Sequence, residues 1–432
     1  MADRQGRRPP VPLLPVRVRG ARRVRLLIRA ARILTLAQGP RPRRGTDLAR
    51  LGVIPLGDVL IDGEAIAQVA PCIEPTGGAA LLEADGRVLM PGFVDCHTHA
   101  CFAGSRLDEW ERKRRGVPYL EILKAGGGIM STVRATRAAS AEDLASLLVK
   151  RLELMLRAGT TSAEVKSGYG LTTPDELKML RAIKDAGALW DGTVAPTALL
   201  GHAIDPDRAG FVEGVIEQTL HEVSEEFPGI TLDAYCENGA WTVEQCVALF
   251  DAARSRGHPA RVHADQFTST GMIPAALRIG ARSVDHLEAS SDEDLTALAR
   301  STTFGVGLPA CGFHLDGRYA NLRGFVDHGG AACIASNFNP GSAPCLSMAM
   351  IVALAVRHCG LSPEEAIAAA TVNPATLLGL VDRGTIAPGQ RADLVLLRHR
   401  DERLLAFEFG DAPVDAVICG GRVVHASPTR PS

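Results

Sequence analysis

Histidines recur in this chain where short apolar runs end. The densest group is Asp95-Cys96-His97-Thr98-His99, which follows Pro91-Gly92-Phe93-Val94. Side chains two apart on an extended segment point the same way, so His97 and His99 face one side of the chain. An H-x-H alone is a weak signal, since paired imidazoles also serve as ordinary polar packing. Three further runs end in the same manner, at His202, at His263 in Val262-His263-Ala264-Asp265, and at His286 in Asp285-His286-Leu287-Glu288. Five of the twelve histidines at strand ends is more than scatter. Converging neutral imidazoles are ligands for one transition-metal ion, and they suit zinc or iron better than calcium or magnesium.

Such residues need a scaffold that gathers strand ends at one place. From Pro91 to about Val381 the sequence alternates strand-like runs with capped helices. Ser140 with Asp143, then Leu144, Leu147, Leu148 and Leu152 at helical spacing, reads as a helix that ends at Gly159. Thr173, Pro174 and Glu176 open another that should stop at Gly187, and Thr242 with Gln245 opens one that stops at Gly257. Eight candidate strands lie between the helices, ending near His99, Lys166, Gly201, Glu237, Asp265, Glu288, Pro309 and Asn337. Eight βα units in this length predict an α/β fold, a closed (β/α)8 TIM-type barrel whose C-terminal mouth collects the histidines.

Both chain ends have a different texture. Alternating runs at Val24 to Ile28, Gly57 to Ile61, Ala67 to Ala70 and Arg87 to Met90 read as a small antiparallel unit. Ala392 to Leu397 and Val414 to Val424 return to it, so the ends are expected to pair into a small composite β-domain. The expected organisation is a flexible Arg/Pro-rich tail over 1–22, the first part of the β-domain over 23–90, the barrel over 91–381 and the rest of the β-domain over 382–432.

Composition narrows the function classes. Hydrophobic residues make up 46% and charged residues 22%, a globular mix. Aromatics are only 4%, which offers little for stacking on bases, and no nucleic-acid partner is expected. The first fifty residues hold fourteen Arg against Asp3 and Asp47, yet they lack Ser, and the Arg run leads straight into a strand pattern rather than a cleavage site. The longest uncharged stretch, Gly329 to Val356, is broken by Asn337, Asn339, Pro340, Gly341 and Pro344, so no membrane span is expected. Ten cysteines without C-x-x-C spacing read as reduced thiols of a cytoplasmic protein, and Cys96 as a buried hydrophobe.

Long strings carry a more specific likeness. Pro91 to His99, Ala103-Gly104-Ser105-Arg106, Tyr119-Leu120-Glu121-Ile122-Leu123, Ala125-Gly126-Gly127-Gly128-Ile129 and Ser131-Thr132-Val133-Arg134-Ala135-Thr136-Arg137 resemble the imidazolonepropionase family of the amidohydrolase superfamily. So do Glu164-Val165-Lys166-Ser167-Gly168-Tyr169-Gly170-Leu171, His263-Ala264-Asp265-Gln266 and Phe338-Asn339-Pro340-Gly341. The likeness runs from about Leu26 to Val424. It implies a hydrolase of histidine degradation that opens the ring of 4-imidazolone-5-propanoate with water, giving N-formimidoyl-L-glutamate. It further implies one Zn2+ or Fe ion held by His97, His99 and His263, substrate contacts from Arg106, Tyr169 and His202, and His286 beside the reacting water. A homodimer is expected. The substrate's propionate suits an Arg fork, the natural partner of a carboxylate.

Several of these residues have plainer readings. Arg106 could be a solvated surface residue. Gly168 and Gly170, which flank Tyr169 beyond Lys166, fit a mere turn. Gly126-Gly127-Gly128 lacks the Lys-Ser/Thr of a phosphate-binding loop and is read as a loop closing over substrate. Glu237 and Gln266 could orient the water or ligands, or could satisfy backbone groups. One departure from the family pattern stands out: Asn337 occupies the place of an Asp that is both the last-strand ligand and the expected proton acceptor. Asn337 can offer a metal only a neutral amide oxygen and cannot act as that base. Two other readings therefore stay open, a different cyclic amide or amidine hydrolase adapted to Asn337, and a catalytically impaired metal-containing barrel that binds a ligand without turnover.

Overall fold

The structure, a computed structural model, describes residues 25–75, 78–118, 121–122, 125–410 and 412–427. The tail expected over 1–22 lies outside the described residues. Among these residues are sixteen strands: β1 (Arg25–Leu34), β2 (Val53–Asp62), β3 (Ala65–Ala70), β4 (Ala80–Glu83), β5 (Val88–Pro91), β6 (Phe93–Asp95), β7 (Thr160–Lys166), β8 (Thr193–Gly201), β9 (Thr231–Cys236), β10 (Val262–Ala264), β11 (Ser283–His286), β12 (Phe304–Gly307), β13 (Ala332–Ile334), β14 (Leu394–Leu397), β15 (Val414–Cys419) and β16 (Arg422–Ala426).

Strands β6 to β13 form one parallel sheet in sequential order. It curls until the segments beyond its edge strands meet: Thr98 bridges Phe338, His99 N–H donates to Phe338 O at 2.9 Å, and Asn337 N–H donates to His97 O at 3.0 Å. The same contact that closes the barrel thus sets the H-x-H segment against Asn337. Period-two alternation gives the barrel its two faces. In β7, buried throughout, Ala163 and Val165 join the core shared with the helices, so Ser162, Glu164 and Lys166 face the interior. The barrel floor is therefore charged as well as packed.

All eight expected strands are present, several ending two to four residues sooner. Asp265 (φ 57°), His286 (φ 93°), Leu287 (φ 73°) and Asn337 (φ 52°) leave the extended conformation as the chain turns over the mouth. Strained backbone of this kind collects where surrounding structure over-determines it, as at functional sites. Among the helices, Ala141–Arg157 is capped by Ser140 and followed by Gly159, and Val243–Ser255 carries a full capping box from Thr242 and Gln245. The helix Thr173–Leu189 corrects one expectation, since it runs through Gly187. A Cβ there would lie 3.2 Å from that of Val194, so Gly187 lets helix and β8 approach rather than ending the helix.

The terminal strands form a second sheet in the order β16-β15-β14-β5-β1-β2-β3, with β4 also on β1. Antiparallel pairing of Leu394 with Pro91 and of Leu396 with Leu89 joins the two ends of the chain. The sheet is mixed, not antiparallel as expected: β1 is bulged between Ile28 and Ala31, so its first half pairs in parallel with β4 and its second with β5. Ile28, Ile33, Val59, Ile61, Leu89, Leu394 and Ile418 build its own core. Among the described residues no helix is long and apolar enough to cross a membrane. The ten cysteines form no disulfide, and Cys96 is fully buried among Phe304, Val306 and Cys333, as a hydrophobe would be.

Candidate metal centre and active site

His97 and His99, beyond β6, meet His263 of β10 at the barrel mouth. His99 Nε2 lies 3.3 Å from His97 Nε2 and 3.3 Å from His263 Nε2. Ligands set tetrahedrally about 2.0–2.1 Å from zinc stand about 3.3–3.4 Å apart, so His99 Nε2 already stands at corner spacing from each of the other two nitrogens. All three imidazoles are buried. Burial, followed by neighbouring Lys166 and His263 for His97 and by His202 and His263 for His99, keeps these two well below the usual imidazole range. His263 is also lowered by burial, with Asp233 opposing. Neutral imidazole is the form that binds a metal.

Carboxylates hold two of the rings from behind. His97 Nδ1 lies 2.6 Å from Asp285 Oδ2 and His263 Nδ1 3.1 Å from Asp233 Oδ1. Each carboxylate also takes a buried cation: Arg261 Nη2 donates to Asp285 at 2.6 Å and Lys166 Nζ to Asp233 at 2.7 Å. Glu164 links the two halves, accepting from Lys166 at 2.9 Å and Arg261 at 2.7 Å. Three carboxylates against two cations leave excess negative charge beneath three neutral imidazoles. A divalent cation at the mouth would offset it, so both the donor set and the charge of the floor fit a metal ion.

The remaining predicted residues surround this cluster. The His202 ring stacks on His99 with centroids 4.9 Å apart, and its Nδ1 lies 2.9 Å from Gly168 O. Burial, then His263, holds the His202 imidazole down to about 3. Tyr169 lies 5.0 Å from His202, ring to ring. Gly168 is more than a turn residue: at φ 108° with room for no Cβ within 3.0 Å of His202 Nδ1, it lets the loop press on that ring. His286 sits 5.6 Å from His263 and 6.1 Å from His97 between centroids, with Nδ1 3.2 Å from both Glu288 carboxylate oxygens. Asn337 is buried, and its side-chain and backbone oxygens accept from Asn339 Nδ2 at 3.3 and 2.7 Å.

Arg106 lies at the mouth, where a Cβ on Gly341 would come within 3.1 Å of its Nη1. Its Nε and Nη2 are already donated to Glu109, at 2.6 and 2.5 Å, so among the described residues the Nη1 side of the fork is the open one. Glu109 also accepts from Gly128 N–H at 2.9 Å. The glycine run thus leads into the helix Ile129–Ala138 and is strapped to the Arg106 partner. Glu237 serves backbone and hydroxyl groups, accepting from Asn238 and Phe267 N–H at 2.9 and 2.8 Å and from Thr268. Gln266 is held between two side chains: Oε1 accepts from Tyr235 Oη at 2.8 Å and Nε2 donates to Cys311 Sγ at 3.2 Å. Sequence reasoning missed Asp233, Asp285, Arg261 and Glu109. Only Glu109 left a trace there, three residues after Arg106 on one helix.

The amidohydrolase family model matches residues 88–424. Imidazolonepropionase of Rubrobacter xylanophilus is 40% identical over 406 residues, spanning 92% of this chain and 97% of that protein. Imidazolonepropionase of Deinococcus radiodurans is 41% identical over 382 residues, spanning 88% and 95%. Among solved structures, 5-methylcytosine deaminase from Klebsiella pneumoniae liganded with 5-fluorocytosine superposes with a TM-score of 0.73 at 18% identity, covering 94% of this chain and 99% of that one. That likeness shows the fold. With 40% identity spread over nearly the full length of its relatives, the chain belongs to the imidazolonepropionase family of the amidohydrolases.

Proposed function

We propose that this chain opens the ring of 4-imidazolone-5-propanoate with water, yielding N-formimidoyl-L-glutamate in histidine degradation. The observation that carries the reading is the set of three neutral imidazoles at the mouth of an amidohydrolase barrel, with His99 Nε2 3.3 Å from each of the other two and Asp285 and Asp233 holding His97 and His263. In this reading residues 91–381 are the catalytic unit of a cytoplasmic homodimer, flanked by a β-domain from 23–90 and 382–432. His97, His99 and His263 would hold one Zn2+ or Fe ion per chain, with the amide oxygen of Asn337 as a neutral fourth donor. When bound, such an ion supplies the Lewis acidity that attack by water on a ring carbonyl needs at neutral pH.

The chain's own groups do the rest. The open Nη1 side of Arg106 takes the propionate, while Tyr169 and His202 line the ring's face. His286 donates its Nδ1 hydrogen to Glu288, which leaves the Nε2 lone pair to accept the proton of the attacking water. Water oxygen bonds to the carbonyl carbon, the C–N bond breaks, and the ring nitrogen takes up a proton. Gln266 supports the site indirectly, through Tyr235.

Asn337 favours a second reading, a cyclic amide or amidine hydrolase whose substrate needs no last-strand carboxylate. Purified protein of known metal content, assayed for ring opening of imidazolone propionate, decides between them. Turnover supports the first reading. Binding without turnover points to an impaired barrel, and absence of both to another substrate.

A further inference from the structure

A second group of ligand-type side chains lies beside the three imidazoles and is not used by them. His286 ends β11, Glu288 follows two residues later, and Cys311 lies in the helix Pro309–His314. One ligand atom from each falls within 4.8 Å of the others. The three side chains are nearly inaccessible, at 3% for His286 and 5% for Glu288, with Cys311 at 3% overall. Both oxygens of the buried Glu288 carboxylate face one nitrogen, His286 Nδ1, at 3.2 Å. The Gln266 amide, fixed by Tyr235 at its oxygen, directs Nε2 at Cys311 Sγ.

We infer that His286 Nδ1, Glu288 and Cys311 Sγ form a second metal site, selective for borderline-to-soft divalent ions such as zinc, cobalt or cadmium. Nitrogen and sulfur ligands of a tetrahedral zinc stand about 3.5 Å apart, so the side chains need close by only about an ångström. The donor set carries its own charge balance: carboxylate and thiolate together neutralise a dication in a dry setting. Binding replaces the thiol hydrogen by a metal–sulfur bond and releases one proton to solvent. The Gln266 N–H stabilises the resulting thiolate as it now bonds the thiol sulfur. Calcium and magnesium, which prefer oxygen, are excluded by the sulfur and nitrogen donors.

The site has a consequence for the reaction proposed above, and this part rests on that reading. A metal on Nδ1 requires the imidazole hydrogen to sit on Nε2, so His286 loses the lone pair that accepts the water proton. Excess zinc should therefore inhibit.

The test is cobalt titration of chelator-stripped protein. The first equivalent should fill the three-imidazole site without a sulfur-to-cobalt charge-transfer band. The second should bring that near-ultraviolet band, which Cys311→Ser should abolish and Glu288→Gln should shift to at least about tenfold higher cobalt concentration. In His97→Ala the band should arrive with the first equivalent bound. No band in the parent protein, or a band surviving in Cys311→Ser, overturns the site. If Cys311→Ser fails to fold, judged by circular dichroism, the Glu288→Gln titration decides. Zinc inhibition absent despite an intact cobalt band would overturn only the role of His286 as base.

Discussion

His97 Nδ1 and Asp285 Oδ2 lie 2.6 Å apart with both side chains wholly buried. Because the same Asp285 oxygen also takes a hydrogen from Arg261 at 2.6 Å, the carboxylate is fixed from below and fixes the imidazole above it. The pair sets the His97 tautomer, leaving Nε2 bare toward His99. Partners of this kind raise ligand basicity and hold ring orientation.

Asp285→Asn should therefore lower metal affinity by about 10–100-fold, measured by competition with a chelator. The amide cannot balance Arg261, and its neutral oxygen is a weaker acceptor for Nδ1–H than the carboxylate. Parent-like affinity in a folded variant would assign Asp285 to the barrel floor alone.

Arg106→Lys should weaken binding of propionate-bearing ligands by about 10–100-fold while metal content stays constant, since the loss is of fork geometry and not of charge. Titration calorimetry with a substrate analogue gives the value. An analogue lacking the carboxylate should bind both proteins alike, and an equal loss with it would remove Arg106 from carboxylate recognition.

Glu109 gives a pH signature. Burial pushes its carboxyl up, but hydrogen bonds from Arg106 and Gly128 and the Arg106 charge outweigh this and bring it down to about 2. An unfolded-state carboxyl titrates near 4.3. With the folded value the lower, the stabilisation is complete above the unfolded value and is lost as pH falls from about 4.3 toward 2. Urea midpoints of the parent should thus fall more steeply over that window than those of Glu109→Gln. Parallel curves would show that the ion pair does not form in solution.

The histidines were legible because strand ends in a (β/α)8 barrel converge whatever lies between them, so His97, His263 and His286 could be placed together from apolar runs alone. Their supports were not. Asp285 and Arg261 are one strand apart and Lys166 and Asp233 two, and only closure and register bring such interior residues together. A sequence shows alternation within a strand but not which alternate residue faces which. Gln266 lies three residues beyond His263 and past the turn at Asp265, φ 57°, so alternation along β10 does not say which way it points. Likewise the parallel pairing of β1 with β4 and β5 follows from a bulge near Ala30, at φ 52°, that no local pattern announces.

Asn337 is held in the left-handed region at φ 52°, with its N–H on His97 O at 3.0 Å and its oxygens facing Asn339 Nδ2. Asp tolerates this backbone nearly as well as Asn and keeps the oxygen that Asn339 meets, so Asn337→Asp should fold without repacking. The change adds an anionic donor beside the three imidazoles and a carboxylate able to accept the water proton. If base catalysis limits the reaction, kcat should rise by about 100-fold or more with little change in substrate affinity. Steady-state kinetics on parent and variant at matched metal occupancy measure this. An unchanged kcat would mean that His286, the base assigned above, suffices alone or that the reaction is a different one, and ring opening of other cyclic amides by the parent protein would then tell these two apart.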